Sequence, residues 1–367
     1  MLSANRLVEK SARNRVVASD AYVVGIGETL HAPRRDDVNT TELAWEAVSA
    51  ALADAGVELK DVSGAVTASQ DFWEGRTISS MAVNEIAGAT FKPESKVAAD
   101  GALALVYAAA RIMTGPDTLL LVVAHCKESQ ADAHAVECAA FDPFVQRDLD
   151  PDETIAAALQ ARLLGYPAEL RARVVEAARR RSAWLEPLAE GAVAASPETA
   201  SPLRELERAP LMDGACALVL CDAETAARLG RPAVRVAGAG TSTGRYWSDR
   251  DLTAAPGLHE ALGAALGQAG WEDAPERIEL TATYAHQALL FGRELGLGGE
   301  EDVVSALERG GLAPGGGALA GRPGVVAGLS NAAACARHIR EGGGRALAHG
   351  TTGLLAQSHH VVCLEAV

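Results

Sequence analysis

The chain of 367 residues is 49% hydrophobic and 4% aromatic, and 48 acidic residues against 33 Lys and Arg give it a net charge of −15. Such an acidic surface repels a phosphate backbone, which excludes nucleic acid as an expected partner. No apolar run approaches the ~20 residues of a membrane span, and no signal-peptide core follows the basic residues near the N-terminus, so we expect a cytoplasmic protein that does not bind a membrane.

Buried strands alternate with helices along the first part of the chain. After a polar arm at residues 1–19, a strand is predicted over residues 21–27. A helix follows, with Thr40 or Thr41 as its N-cap and Gly56 as its stop, because its apolar residues recur at helical spacing. This alternation predicts an α/β fold.

A strand-to-helix turn is predicted at residues 98–101, between a strand end at residue 97 and a helix that runs to about residue 113. The first N–H groups of a helix have no backbone partner, so such a turn can hold a nucleophile or an anion. Here the turn reads Ala98-Ala99-Asp100-Gly101 and contains no Cys, Ser or Lys.

Residues 128–152 are acidic and irregular, and they predict an inserted segment that lies over the core. The second of the two helices that follow carries the one local basic cluster of the chain, made of Arg171, Arg173, Arg179, Arg180 and Arg181. Two interpretations stay open, a solvated helix face or a site for the phosphates of an anionic ligand.

The cysteines have neither CxxC spacing nor the density of a disulfide scaffold. We therefore expect buried free thiols and no metal site.

An internal repeat links the two ends of the chain. Residues 46–57 match residues 260–271 at seven of twelve positions, and in each copy an acidic linker leads to a predicted strand. The shared order predicts two related halves. We assign residues 20–127 and 153–230 to the first half, with residues 128–152 as an inserted loop, and residues 231–367 to the second half.

Taken in order, these features resemble the thiolase superfamily, and most of all the sterol-carrier-protein type thiolases and the thiolase-like lipid-transfer proteins. The resemblance covers about residues 20–367 and rests on several short motifs, namely Gly25-x-Gly27, the helix ending at Gly56, the 101–115 helix with its following strand, Met212-Asp213-Gly214, Gly315-Gly316, Gly321-x-Pro323 and His349-Gly350. It implies a thiolase fold with two related βαβαβαββ halves in a five-layered α-β-α-β-α arrangement.

Several catalytic motifs of that family are altered in this chain. The family's Cys-Ala-Ser-Gly corresponds to residues 98–101, which places Ala98 at the position of the nucleophile. Its His-Asp-x-Phe corresponds to residues 281–284, and Arg322 replaces the histidine of Gly-His-Pro. An alanine cannot form an acyl-enzyme, so a ping-pong mechanism through residue 98 is excluded.

The first hypothesis is an enzyme that acts on a C–C bond of a CoA thioester by retro-aldol cleavage, with no bound cofactor and no cysteine nucleophile. The resemblance implies a small zinc-ribbon/OB-fold partner for such an activity. The candidate acid or base is His349, His286 or Tyr284; the candidate oxyanion donors are the N–H groups of Ala98, Ala99, Gly101 and Gly350; and the candidate substrate-binding residues are Arg322, Gly315 and Gly316.

Each of these residues could instead have a purely structural role. The sequence also fits a solvent-facing helix start for His286 and a structural remnant for His349. It fits equally a core position for Tyr284 and an ion pair with an acidic side chain for Arg322. The second hypothesis is a catalytically inactive subunit that dimerises with an active thiolase. A third is an acyl-CoA or lipid carrier. A homodimer and a heterodimer with a second thiolase-like chain both remain open.

Overall fold

The computed structural model describes residues 20–115 and 117–367, so the arm expected over residues 1–19 lies outside the described residues. The strands within these ranges are β1 (Ala21–Glu28), β2 (Gly64–Ala68), β3 (Glu94–Val97), β4 (Leu119–Lys127), β5 (Glu198–Ala200), β6 (Leu203–Arg204), β7 (Asp213–Asp222), β8 (Val234–Thr243), β9 (Arg277–Glu279), β10 (Arg345–Thr352) and β11 (Ser358–Ala366).

The helices separate these strands. They are α1 (Thr40–Ala55), α2 (Asp71–Glu74), α3 (Gly101–Thr114), α4 (Ala133–Cys138), α5 (Glu153–Leu164), α6 (Ala168–Arg180), α7 (Ala192–Ala195), α8 (Ala223–Leu229), α9 (Pro256–Ala269), α10 (Ala285–Glu294), α11 (Glu300–Arg309) and α12 (Ala327–Arg340). Among the described residues, no helix combines the length and the apolar content that a bilayer crossing requires.

The repeat predicted from the sequence is visible in the order of the strands. One nine-stranded sheet runs β3-β2-β4-β7-β1-β8-β11-β10-β9. β1 and β8, the first strands of the two halves, pair antiparallel in its middle. Moving outward from this pair, β7, β4 and β2 mirror β11, β10 and β9, with the same parallel and antiparallel pairings. In the described part of the second half, no strand corresponds to β3.

The helices divide into outer and central layers. α1 covers β1 and β7, whereas α9 covers β8 and β11. α3 and α12 pack against each other, and each contacts strands of both halves. The helix pair therefore lies between the two halves of the one sheet, and the order outer helix, half-sheet, helix pair, half-sheet, outer helix is the predicted five-layered α-β-α-β-α arrangement. β4 is buried along its whole length because helices cover both of its faces.

Matching glycines let each outer helix approach its strand closely. A Cβ atom added to Gly27 of β1 would lie 1.9 Å from the carbonyl oxygen of Ala47 in α1. A Cβ atom added to Gly240 of β8 would lie 1.9 Å from the carbonyl oxygen of Ala261 in α9. The two halves therefore share a packing detail as well as a topology.

The N-cap of α1 differs from the prediction, whereas its end agrees. The side chain of Asn39, not Thr40 or Thr41, accepts the N–H of Glu42 at 2.9 Å, and the Glu42 carboxylate accepts the N–H of Asn39 at 2.8 Å. This capping box satisfies two N–H groups reciprocally, so the residue before the threonines is the better cap. Gly56 ends the helix with a φ of 70°, in the left-handed region that favours glycine.

Candidate active site

A cavity of about 310 Å³ lies where the turn before α3, the inserted segment and the loops of the second half meet. Charged and hydroxyl side chains from all three regions line it, including Asp100, Glu128, Glu153, Arg208, Thr281, Arg322 and Thr352. None of the described residues that line it is a cysteine or a histidine. The ionisable side chains of the described lining are therefore carboxyl and guanidinium groups.

The turn before α3 is closed by hydrogen bonds within the chain. Asp100 is the N-cap of α3, and its carboxyl oxygens accept the N–H of Ala102 at 2.7 Å and of Gly328 at 2.9 Å. The N–H of Asp100 donates to Thr352 Oγ1 at 2.9 Å. The N–H of Gly101 donates to the carbonyl of Val325 at 2.8 Å, which corrects its predicted role as an oxyanion donor because that N–H already has an acceptor.

The other predicted oxyanion donors lie outside the cavity lining. The side chain of Ala98 is exposed and that of Ala99 is buried, and neither residue lines the cavity. Gly350 in β10 instead makes room for the Asp100 carboxyl, since an added Cβ atom would lie 2.0 Å from Asp100 Oδ1.

Burial changes the acidity of Asp100. The side chain is only 1% exposed, and the loss of water raises its pKa to about 7, against the opposing effect of the two N–H groups that it accepts. An acid with this pKa can exchange protons near neutral pH. Asp100 is visible in the turn from the sequence, but no motif there predicts a role for it.

Two glutamates that the sequence did not predict as site residues also have a raised pKa. Burial raises the pKa of Glu128 to about 7, although its carboxylate accepts the N–H groups of Met212 at 2.9 Å and Gly324 at 3.1 Å. Burial also raises the pKa of Glu153, at the start of α5, to about 7, with the charge of Arg208 opposing the shift. Three proton-exchanging carboxyls therefore face one cavity.

Arg208 fixes the wall of the cavity beside Glu153. Its guanidinium donates to Thr154 Oγ1 at 3.0 Å and to the carboxylate of Glu137. Its Cζ atom lies 5.9 Å from the centre of the Tyr284 ring.

Among the predicted site residues that the structure describes, Arg322 alone lines the cavity. It is buried, and its Nη1 donates to Glu279 Oε2 at 3.0 Å and to Asn331 Oδ1. The acidic pairing left open by the sequence is therefore present. Its Nε is buried and has no hydrogen-bond partner among the described residues.

The two glycines predicted to bind substrate instead make room for neighbouring parts of the chain. A Cβ atom on Gly315 would lie 2.3 Å from Arg322 Nη2, so Gly315 makes room for the guanidinium. Gly316 has a φ of 75°, and its added Cβ atom would lie 2.7 Å from the carbonyl oxygen of Ala178. Neither glycine lines the cavity.

The two predicted histidines lie behind the cavity wall. His349 is fully buried, with Nε2 3.0 Å from His359 Nδ1 and Nδ1 accepting the N–H of Thr281 at 3.4 Å. His286 is also fully buried rather than solvent-facing, with Nε2 3.1 Å from Gln160 Oε1. Burial lowers the pKa of His286 to about 3 and that of His349 well below its ordinary value, so both rings are neutral.

Tyr284 is a core residue in this arrangement. Its ring is fully buried, and its hydroxyl lies 3.4 Å from Thr154 Oγ1. Burial raises its pKa above the ordinary value for a tyrosine. The two histidines and Tyr284 are not among the residues that line the cavity, so their positions do not support the predicted acid or base role.

The arginine cluster of α6 is engaged largely in contacts within the chain. Arg171 donates to Glu207 at 3.0 Å, and Arg173 pairs with Glu301 and Glu308 of α11. Arg181 donates to the carbonyl of Leu307 at 3.2 Å. The contacts of Arg173 and Arg181 hold α6 against α11, whereas Arg171 ties α6 to the segment before β7, and the sequence suggested neither role.

No protein-family model and no curated protein sequence matches the chain. Solved structures do. The structure described as "Ltp2-ChsH2(DUF35) aldolase" is 22% identical, with a TM-score of 0.79, covering 96% of this chain and 99% of that one. A monomeric SCP2-thiolase like protein type 1 from Mycobacterium smegmatis is 19% identical, with a TM-score of 0.72, covering 94% and 77%.

Human mitochondrial 3-ketoacyl-CoA thiolase is 14% identical to the chain, with a TM-score of 0.76, and the match covers 96% of this chain and all of the human one. At these identities the likeness concerns the fold. Together with the mirrored strand order and the five layers, it shows that the chain has the thiolase fold.

Proposed function

We propose that the chain binds a CoA thioester in the cavity and cleaves a C–C bond of a β-hydroxyacyl-CoA by a retro-aldol reaction, without a cysteine nucleophile or a bound cofactor. The observation that carries this proposal is the cavity lining, which offers three carboxyls with a pKa of about 7 and Arg322, but no described cysteine. A retro-aldol cleavage needs a base and an oxyanion site, and it needs no covalent intermediate.

The lining residues can be given roles that balance the reaction. Glu153 accepts the proton of the β-hydroxyl group, and the bond between the α and β carbons breaks as the β carbon becomes a carbonyl. The bonding electrons move to the thioester and form an enolate, whose negative charge the Arg322 guanidinium in the cavity lining stabilises. Protonated Asp100 then gives its proton to the α carbon and completes the product thioester.

The test is a cleavage assay on β-hydroxyacyl-CoA substrates of several acyl sizes, with products followed by mass spectrometry. We expect turnover by the purified chain, alone or with a small zinc-ribbon/OB-fold partner encoded beside it. Glu153→Gln should lower kcat by about 10²–10⁴-fold, the range for loss of a general base. Glu169→Gln, an exposed change on α6, is the matched control. Absence of turnover in both settings, or full activity of Glu153→Gln, would overturn the proposal.

A second candidate is a catalytically inactive subunit that dimerises with an active thiolase. The hydrogen bonds that occupy the N–H groups of Asp100 and Gly101 favour it, because a thioester oxygen cannot use those donors in this arrangement. An intact thiolase that copurifies with the chain and loses activity without it would support this candidate. Binding of acyl-CoA without turnover, by a chain that forms only homodimers, would instead support a carrier.

A further inference from the structure

A histidine, a cysteine and an aspartate meet in the inserted segment, outside the cavity described above. His134 and Cys138 are one helical turn apart on α4, and Asp150 comes from the loop before α5. One ligand atom from each lies within 4.8 Å of the others. Imidazole nitrogen, thiolate sulfur and carboxylate oxygen are the three donor types that Zn²⁺ binds in proteins.

The distances between these donors match the edges of a tetrahedral metal site. Bonds of about 2.0–2.3 Å at tetrahedral angles place ligand atoms about 3.3–3.6 Å apart. His134 Nε2 lies 3.6 Å from Cys138 Sγ and 3.6 Å from Asp150 Oδ2. Cys138 Sγ lies 3.6 Å from the other carboxylate oxygen, Asp150 Oδ1. A small rotation of the Asp150 carboxylate would therefore let one of its oxygens share a metal ion with His134 and Cys138.

The second ring nitrogen of His134 has its own carboxylate. Asp152 Oδ2 lies 3.5 Å from His134 Nδ1, while Asp152 Oδ1 accepts the N–H of Ile155 at 2.9 Å as the N-cap of α5. A carboxylate on the far nitrogen of a metal-binding histidine fixes the orientation of the ring and raises its basicity. The helix cap in turn holds Asp152 in place.

From this geometry we propose that His134, Cys138 and Asp150 bind one divalent transition-metal ion of the zinc class, with Asp152 as the residue that orients His134. Three protein ligands leave a fourth coordination position for water or a small anion. A side cavity of about 260 Å³ is lined by Cys138 and Asp150 among others, so there is space next to two of the three ligands.

The ion would tie α4 to the start of α5. Val136, Glu137, Ala139 and Ala140 of the α4 region line the main cavity, and so does Glu153 at the start of α5. A metal bridge behind these residues would hold one wall of the cavity in a fixed position. This inference is independent of the reaction proposed above.

Titration of the full, reduced chain with Zn²⁺, followed by calorimetry, tests the site directly. We expect one Zn²⁺ per chain and a higher unfolding temperature with the metal, because it binds the folded state. Co²⁺ should give a thiolate-to-cobalt charge-transfer band, which a site built from carboxylates alone would not give.

Variants assign the ligands. Cys138→Ser and His134→Ala should each weaken Zn²⁺ binding more than tenfold, and Cys138→Ser should abolish the cobalt band. Asp152→Asn should weaken binding by about 10–100-fold, the range for an outer carboxylate. His259→Ala, an exposed histidine on α9, is the control and should bind Zn²⁺ as the wild type does. Failure of the wild type to bind Zn²⁺, or unchanged binding by Cys138→Ser, would overturn the proposal.

Discussion

The carboxyl group of Asp100 occupies the space that Gly350 leaves open, 250 positions further along the chain. A Cβ atom added to Gly350 would lie 2.0 Å from Asp100 Oδ1, and one added to Gly328 would lie 1.8 Å from the same oxygen. Two glycines of the second half therefore enclose an acid of the first half.

Gly350→Ala should destabilise the protein, because the methyl group and the Asp100 carboxyl cannot share one volume. We expect a loss of about 1–3 kcal/mol in the free energy of unfolding, the usual range for overpacking. Urea denaturation measures it. Gly263→Ala on α9 is the control, because nothing lies within 4 Å of its added Cβ atom and alanine favours a helix by about 0.5–1 kcal/mol. Equal stability of the two variants would contradict the enclosure of Asp100.

Asp100→Asn should change how stability depends on pH. The folded chain holds the Asp100 proton up to pH about 7, whereas the unfolded chain loses it near 3.8. Between these values the unfolded state binds fewer protons, so the wild type should lose stability relative to the variant by about 1.4 kcal/mol per pH unit as pH rises. Below about pH 4 and above about pH 7 the difference should be constant.

Denaturation of the wild type and of Asp100→Asn from pH 3.5 to 8 gives the difference in their unfolding free energies. The titrations of Glu128 and Glu153 cancel in this difference because both proteins contain them. Asparagine has one acceptor oxygen where the Asp100 carboxyl has two. Losing one hydrogen bond shifts the difference in unfolding free energy by about 0.5–1.5 kcal/mol, and this shift does not vary with pH. A difference that stays flat across the window, or that favours the wild type as pH rises, would show that Asp100 ionises normally in the folded state.

Ala98→Cys should not create a thiolase. No histidine is among the described residues that line the cavity, and the guanidinium of Arg322 is already bound to Glu279 and Asn331, so nothing there activates the new thiolate. We expect no thiolysis of acetoacetyl-CoA above the wild-type level. Titration with a thiol reagent should confirm that the new cysteine is accessible, because the side chain of Ala98 is exposed. Measurable thiolysis would mean that the remaining residues suffice for activation.

Gly27→Ala and Gly240→Ala should have matching effects, because each added Cβ atom would lie 1.9 Å from a backbone oxygen of the covering helix. Backbone atoms cannot rotate away as side chains can, so we expect each variant to lose at least about 1–3 kcal/mol of unfolding free energy. Thermal and urea unfolding both report the loss. Gly267→Ala, whose added Cβ atom meets nothing within 4 Å, is the control. A large effect in only one half would argue against equivalent packing.

Much of the fold was readable from the sequence, because strand and helix signals are local. The prediction of a strand-turn-helix near Asp100 and of a second, related half is confirmed by the structure. α11 was missed because it follows a glycine-rich stretch, although Val303, Val304 and Leu307 form a buried stripe at helical spacing. The cap of α1 was misplaced because three adjacent residues can all serve, and only side-chain geometry selects Asn39.

The site was harder to predict because its acids come from distant segments. The alanine at position 98 could be read directly from the turn. Glu128 and Glu153 lie at the two ends of the inserted segment, and no local pattern signals that both face one cavity. His349 was a candidate because of the family resemblance, but its contact with His359 of the neighbouring strand, 3.0 Å between ring nitrogens, follows from no motif in the sequence.

The hydrogen bonds of Asp100 also set an order of assembly during synthesis. Its carboxyl bonds a residue 228 positions later, and its N–H bonds one 252 positions later. A ribosome must therefore add Thr352, in the last strand pair of the second half, before the turn can close. A truncated product would keep an open turn, and domains that depend on such long-range contacts fold slowly. For this protein, the cavity is completed only after both halves of the fold have been made.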